Sequence, residues 1–265
     1  MTPKLMGVVN VTPDSFSDGG LYLDPEAAIQ HGEELSQAGA AILDVGGEST
    51  RPGAEEVSLA EELRRVEPVV AGLAGDAAAI SIDTSKATVA RAALDAGAEI
   101  VNDVTALRGD PEMAALCADR DAIVVLMHMA GTPRTMQADP VYDDVVADVK
   151  AFLAARLEAA VAAGVAEERI WLDPGIGFGK TAEHNLELLR RLSELSGLGR
   201  PLVIGTSRKS FIGRLDGSDA NARLGGTIAS SVLAAAEGAE VLRVHDVAEV
   251  GQAMAVAGAI INPTM

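Results

Sequence analysis

Aromatic side chains are scarce in this sequence. Four Phe, two Tyr and one Trp make up 3% of 265 residues, so Ala and Val must supply most of whatever core forms. Cysteine is scarcer still. A lone Cys117 excludes a disulfide within the chain and any cysteine-based zinc cluster, and suits a reducing compartment. Its plain reading is a buried apolar thiol. Positive charge is also short: 21 Lys and Arg stand against 39 Asp and Glu, for a net charge of −18. That balance argues against a nucleic-acid binder, because phosphate backbones recruit Lys and Arg. Any phosphate site must come from a local basic cluster set in an acidic body. No apolar run approaches the ~20 residues that cross a bilayer. The first residues, MTPKLMGVVN, carry no signal-peptide apolar region of the usual length, so a cytoplasmic protein is expected.

With 48% hydrophobic residues the chain can bury a large core, and its length suits one α/β barrel of about 250 residues. Eight short apolar runs alternate with segments of helical periodicity, the pattern of repeated βα units. Strands are predicted near Leu5–Val9, Ala41–Val45, Ile80–Ile82, Ile100–Val101, Ile123–Met127, Ile170–Leu172, Leu202–Ile204 and Val241–Val244. Eight such units predict a closed (β/α)8 TIM barrel forming a single domain over residues 1–265. Helix starts are signalled by Asp24 with Pro25 and Glu26, by Ser58 with Glu61, and by Asp246 with Glu249. Gly39, Gly97, Gly164 and Gly238 each fall between a helix and the next strand, where the chain needs positive φ.

A polar residue follows nearly every strand: Asn10, Asp44, Asp83, Asn102, His128, Asp173, the run Ser207–Lys209, and Arg243 with His245. In a parallel barrel all of these face the C-terminal rim, where active sites are built. Asp44 and His128 fit an ordinary strand end or helix cap equally well. Three loops add to the set. Residues 10–20, NVTPDSFSDGG, are long for a βα connection and have the composition of a lid. In GGESTRPGA, Thr50 and Arg51 sit between glycines and Pro52, offering donors to an anion. GTSRKSF leads into a helix, so amides near Ser210, with Arg208 and Lys209, would suit an anion as well. Arg51, Lys209, Arg243 and His245 then form the required basic cluster. Asp83, Asn102 and Asp173 offer acceptors suited to a flat heterocycle rich in N–H groups. Phe178 either stacks on a ligand or fills the rim, while His31 and His184 lie on predicted helices and read as surface residues.

Taken together, NVTPDSFSDGG, DVGGESTRPGA, SIDTSK, VNDV, LMHMAGTPRTMQ, LDPGIGFGKT, GTSRKSF and RVHDV resemble the bacterial dihydropteroate synthases, pterin-binding TIM barrels, in order and over nearly the whole chain. The resemblance implies transfer of a dihydropterin from its diphosphate to p-aminobenzoate, with loss of pyrophosphate, a step of folate biosynthesis that sulfonamides block by imitating the second substrate. It implies that Asp83, Asn102, Asp173 and Lys209 hold the pterin, with Met127 and Gly205 lining its slot. Thr50, Asn10, Arg243 and His245 would take the diphosphate. Arg51, Pro52, Phe178, Lys209 and Ser210 would form the p-aminobenzoate pocket. Lys209, Asp83, Asp173 and Arg243 would be the catalytic groups. No His, Asp or Glu pair has a familiar metal-ligand spacing, so Asn10 is the one candidate for Mg2+, shared with diphosphate oxygens and water. Members of the family are usually homodimers. The related methyltransferase barrels, which act on methyltetrahydrofolate, bind no diphosphate; the intact TPDSFSDGG loop, Lys209 and the RVHD ending set this chain apart from them.

Overall fold

The computed structural model describes residues 2–12, 24–51, 53–54, 56–132 and 134–261. Eight strands, β1 (Lys4–Asn10), β2 (Ile42–Gly46), β3 (Ala79–Asp83), β4 (Ile100–Asp103), β5 (Ile123–Met127), β6 (Ile170–Asp173), β7 (Val203–Ile204) and β8 (Val241–Val244), pair in parallel in the order β6-β5-β4-β3-β2-β1-β8-β7. A parallel bridge between Leu172 and Leu202 joins the two ends, so the sheet closes into a barrel. Several strands run one or two residues beyond their predicted ends. The rim residues Asn10, Asp83, Asn102 and Asp173 are still held in the ladder, in register with Gly46, Asn102, Asp83 and Met127 respectively. β7 is shorter than expected, with Leu202 contributing only the bridge.

Nine α-helices are present among the described residues: α1 (Pro25–Gln37), α2 (Leu59–Leu73), α3 (Ala87–Ala96), α4 (Met113–Asp119), α5 (Val145–Ala162), α6 (Ala182–Arg190), α7 (Ser210–Asp216), α8 (Leu224–Ala236) and α9 (Val247–Ile261). The start signals act through their side chains. Asp24 accepts from the Glu26 amide and Ser58 from the Glu61 amide, each satisfying an otherwise orphaned N–H. The carboxylates of Glu61 and Asp246 have other duties, pairing with Arg64 and Arg65 and with Arg208. Gly39, Gly97, Gly164 and Gly238 all adopt φ between 99° and 118°, as the helix-to-strand turns demand.

The barrel interior shows how a short apolar run positions a polar site. Met6, Ile42, Ile100, Val125, Trp171, Val203 and Val241 form one buried cluster that plugs the barrel. Side chains two residues apart on a strand share a face. The next interior position after Ile42 is therefore Asp44; after Ile100 it is Asn102, after Val125 Met127, after Trp171 Asp173, after Val203 Gly205 and after Val241 Arg243. One strand period converts an apolar floor into a polar layer at the C-terminal mouth. The larger core lies outside the barrel, between strands and helices.

Candidate active site

Arg243 is the hub of the polar layer. Its Nε donates to Asp44 Oδ2 at 2.6 Å and its Nη2 to Asp83 Oδ2 at 2.9 Å, while Asn102 Nδ2 also donates to Asp44 Oδ2 at 3.1 Å. Asp44 is completely buried, so it belongs to the site's foundation and not to a strand end or cap. One oxygen of each carboxylate, Asp44 Oδ1 and Asp83 Oδ1, is buried without a hydrogen-bond partner. An unmatched buried acceptor is costly, and the cost is relieved by any ligand that brings a donor. Burial pushes Asp83 up to about 7 against the opposing pull of the Arg243 guanidinium. Burial also raises Asp173, which is countered by Lys209 and by the Gly175 amide donating to Oδ1 at 2.6 Å.

Lys209 reaches across from the β7–α7 loop. Its ammonium donates to the Ile176 carbonyl and lies 4.9 Å from the centre of the Phe178 ring, a cation–π contact. Burial lowers it to about 8, with Asp173 opposing. Gly205 lies beside it: a Cβ there would meet Lys209 Nζ at 3.5 Å, an ordinary contact. Phe178 packs beside Met127, Met129, Met136 and Val104, so it forms a wall of the rim and carries the lysine contact at once. His245 Nδ1 lies 2.9 Å from Ser207 Oγ, and that same oxygen accepts from the His245 backbone amide. With the hydroxyl proton directed to Nδ1, the ring proton is on Nε2. Burial first, then Arg243, Arg208, Arg51 and His31, lowers His245 to about 3, which leaves it a neutral donor.

The other predicted residues divide by position. Asn10 ends β1 beside Gly46, and Thr50 and Arg51 follow β2, all three half-buried. Thr50 shares with Asp83 a cavity of about 300 Å³ that also meets Glu48, Lys86 and Arg134. Ser210 opens α7 and is exposed. Pro52 lies outside the described residues, as does the stretch 13–20 of the first loop. Two expectations change. Arg208, read as an anion donor, is bound to Asp246 at 2.5 Å and sits at φ 56°, its amide held by Thr227 and its carbonyl by Arg223. His31 is half-buried on α1, not fully exposed, and is the last of the groups that lower His245. His184 completes a capping box with Thr181 at the start of α6. Two lysines, the half-buried Lys86 and the buried Lys180, have no counterpart in the sequence reading. Lys86 binds Glu48 and Glu62, both at 2.5 Å, tying the second loop to α2. Lys180 binds His128. Glu62 carries no signal of this in sequence, since it reads as one more acid on an amphipathic helix.

A closed parallel barrel whose mouth combines partnerless buried carboxylate oxygens, a desolvated lysine and a neutral histidine defines a binding site for a hydrogen-bond-donating heterocycle with an anionic substituent. A family model described as "Pterin binding enzyme" matches residues 6–245. The chain is 50% identical over 256 residues to the dihydropteroate synthase of Neisseria meningitidis serogroup C, covering 95% of this chain and 90% of that protein. Among solved structures, it is similar to Yersinia pestis dihydropteroate synthase in a sulfonamide drug complex, with TM-score 0.96, 46% identity and 98% and 94% coverage. It is also similar to the Xanthomonas albilineans enzyme with 4-aminobenzoic acid, with TM-score 0.92, 49% identity and 99% and 94% coverage. The chain belongs to the pterin-binding enzymes and, within them, to the dihydropteroate synthases.

Proposed function

We propose that the barrel mouth joins 6-hydroxymethyl-7,8-dihydropterin diphosphate to p-aminobenzoate, forming 7,8-dihydropteroate and pyrophosphate. The observation that carries this reading is Asp83 Oδ1: a buried acceptor with no partner, one strand from Asn102 and across the mouth from Lys209 and Asp173. A pterin edge supplies the missing donors. Asp83, Asn102, Asp173 and Lys209 hold it, with Met127 and Gly205 as the walls of the slot. Thr50, Asn10, Arg243 and the neutral His245 take the diphosphate. Arg51, Pro52, Phe178, Lys209 and Ser210 receive p-aminobenzoate, the acid bound by the similar Xanthomonas enzyme.

In the reaction the bond from the pterin methylene carbon to the diphosphate oxygen breaks, and its electron pair leaves with pyrophosphate. The arylamine nitrogen then bonds to that carbon and releases a proton. Aromatic amines are nucleophiles already, so no strong general base is needed. The chain contributes positioning and charge: Arg243 and His245 face the departing anion, while Asp83 and Asp173 support positive charge on the pterin. The donor set also fits Mg2+. Among the described residues no three His, Cys, Asp or Glu side chains cluster into a cage. Asn10 would hold the ion by one carboxamide oxygen, with diphosphate and water completing the shell. When bound, it supplies charge neutralisation of the leaving group.

The same reading extends to assembly and location. Leu233 on α8 and Val256, Ile260 and Ile261 on α9 are between 56% and 74% exposed, an apolar face suited to a second copy in a homodimer. The buried, unpaired Cys117 suits the cytoplasm. The decisive experiment mixes the two substrates with the protein and measures pyrophosphate; no release overturns the proposal. Lys209→Ala is expected to lower kcat/KM by about 100-fold or more, and a near-normal value removes Lys209 from its role.

A further inference from the structure

Lys180 is 3% exposed and makes no ion pair among the described residues, an unusual state for an ammonium group. Its Nζ donates to the Gly175 and Phe178 carbonyls, each at 3.0 Å, and lies 2.9 Å from His128 Nδ1. Burial lowers the amine to about 7; in its protonated form it can serve all three partners at once, with His128 accepting as the Nε2–H tautomer. Two of the acceptors belong to the β6–α6 loop, whose Gly175, Gly177 and Gly179 all take positive φ, at 68°, 85° and 64°. The loop turns two of its carbonyls, those of Gly175 and Phe178, to the amine, while Gln137 and Tyr142 hold the carbonyls of Gly177 and Gly179.

The outward side of the same loop faces the site. The Gly175 amide donates to Asp173, the Ile176 carbonyl accepts from Lys209, and the Phe178 ring lies against the Lys209 ammonium. We propose that Lys180 is a positioning residue: by gathering the loop's inner carbonyls, it sets Ile176 and Phe178, and through them the place of Lys209 in the substrate pocket. His128 is its anchor, fixed by its amide donating to the Asp173 carbonyl and by an edge contact with Phe152 at 4.8 Å. The catalytic consequence rests on the substrate roles proposed for Lys209 and Phe178; the loop-holding role does not.

Lys180→Met keeps most of the side-chain volume and removes all three donors. Hydrogen exchange of the Gly177 and Phe178 amides is expected to quicken about tenfold in this variant, and KM for p-aminobenzoate to rise about tenfold, since small displacements of binding groups carry large kinetic costs. A purely stabilising residue lowers the amount of folded enzyme without altering KM. His128→Asn, a milder change that weakens one of the three bonds, is expected to move both readings in the same direction by less, and serves if Lys180→Met does not fold. Unchanged loop exchange, or a KM within twofold of the parent in the folded variants, overturns the proposal. If the parent enzyme itself releases no pyrophosphate, the functional reading fails while hydrogen exchange still decides what Lys180 holds.

Discussion

At the scale of single residues, the mouth is organised by burial acting on charge. Asp83 illustrates both directions of the effect. Its folded value of about 7 lies above the ordinary carboxylate value of 3.8, so between those values the folded state holds a proton that the unfolded chain has released. Its contribution to stability therefore falls as pH rises through that window. Ligand affinity runs the other way, because the ionised form is the better acceptor for pterin N–H groups. Melting curves with and without a pterin ligand at pH 5 and pH 8 are expected to show a larger ligand-induced rise at pH 8. Asp83→Asn should abolish that difference; its retention would move the titration to another group.

At the scale of elements, the strand tips and the turns beyond them do separate work. Tips aim side chains by their two-residue period, whereas the loops use left-handed glycines to bring backbone close to backbone. Gly175 is the most constrained, since a Cβ there would run into the His128 carbonyl oxygen while φ stays at 68°. Gly175→Ala should cost about 3 kcal/mol or more, from overpacking plus backbone strain, read as a lowered denaturation midpoint. A loss below about 1 kcal/mol would mean that the loop re-routes freely, and would weaken the account of Lys180 as well. Ala130 packs against Gly179 in this same region; a Cβ on the glycine would lie 2.8 Å from the alanine's own.

At the scale of the whole molecule, an acidic body surrounds a mouth whose cations are largely engaged with its own carboxylates. Arg243 spans Asp44 and Asp83, Arg208 holds Asp246, and Lys86 holds Glu48 and Glu62. The apolar face on α8 and α9 lies on the outer wall, away from the polar layer inside the barrel. Sedimentation at micromolar concentration is expected to give a species of twice the 27.2 kDa chain mass. Ile260→Lys, on that exposed face, is expected to shift it toward monomer while leaving the fold intact. A parent protein that sediments as a monomer would refute the homodimer.

Much of this was legible in the linear chain because it depends on local rules. The alternation of eight apolar runs with helical segments, the glycines between helix and strand, and the polar residues at most strand ends all follow from strand and helix geometry. Asp83, Asn102, Asp173, Lys209 and Arg243 could be assigned to one rim before any coordinates, since a parallel barrel leaves strand ends nowhere else to face. What the tertiary structure alone decided is how those charges share one another. Nothing in the sequence distinguishes Asp44, buried under Arg243, from a strand-ending aspartate, or Arg208, turned to Asp246, from its neighbour Lys209. Nor does it reveal that Lys180 and His128, 52 positions apart, meet behind the site. Pairings of that kind arise from packing across the barrel, and burial then sets the charge of each group; neither is carried by the periodicity of any one segment.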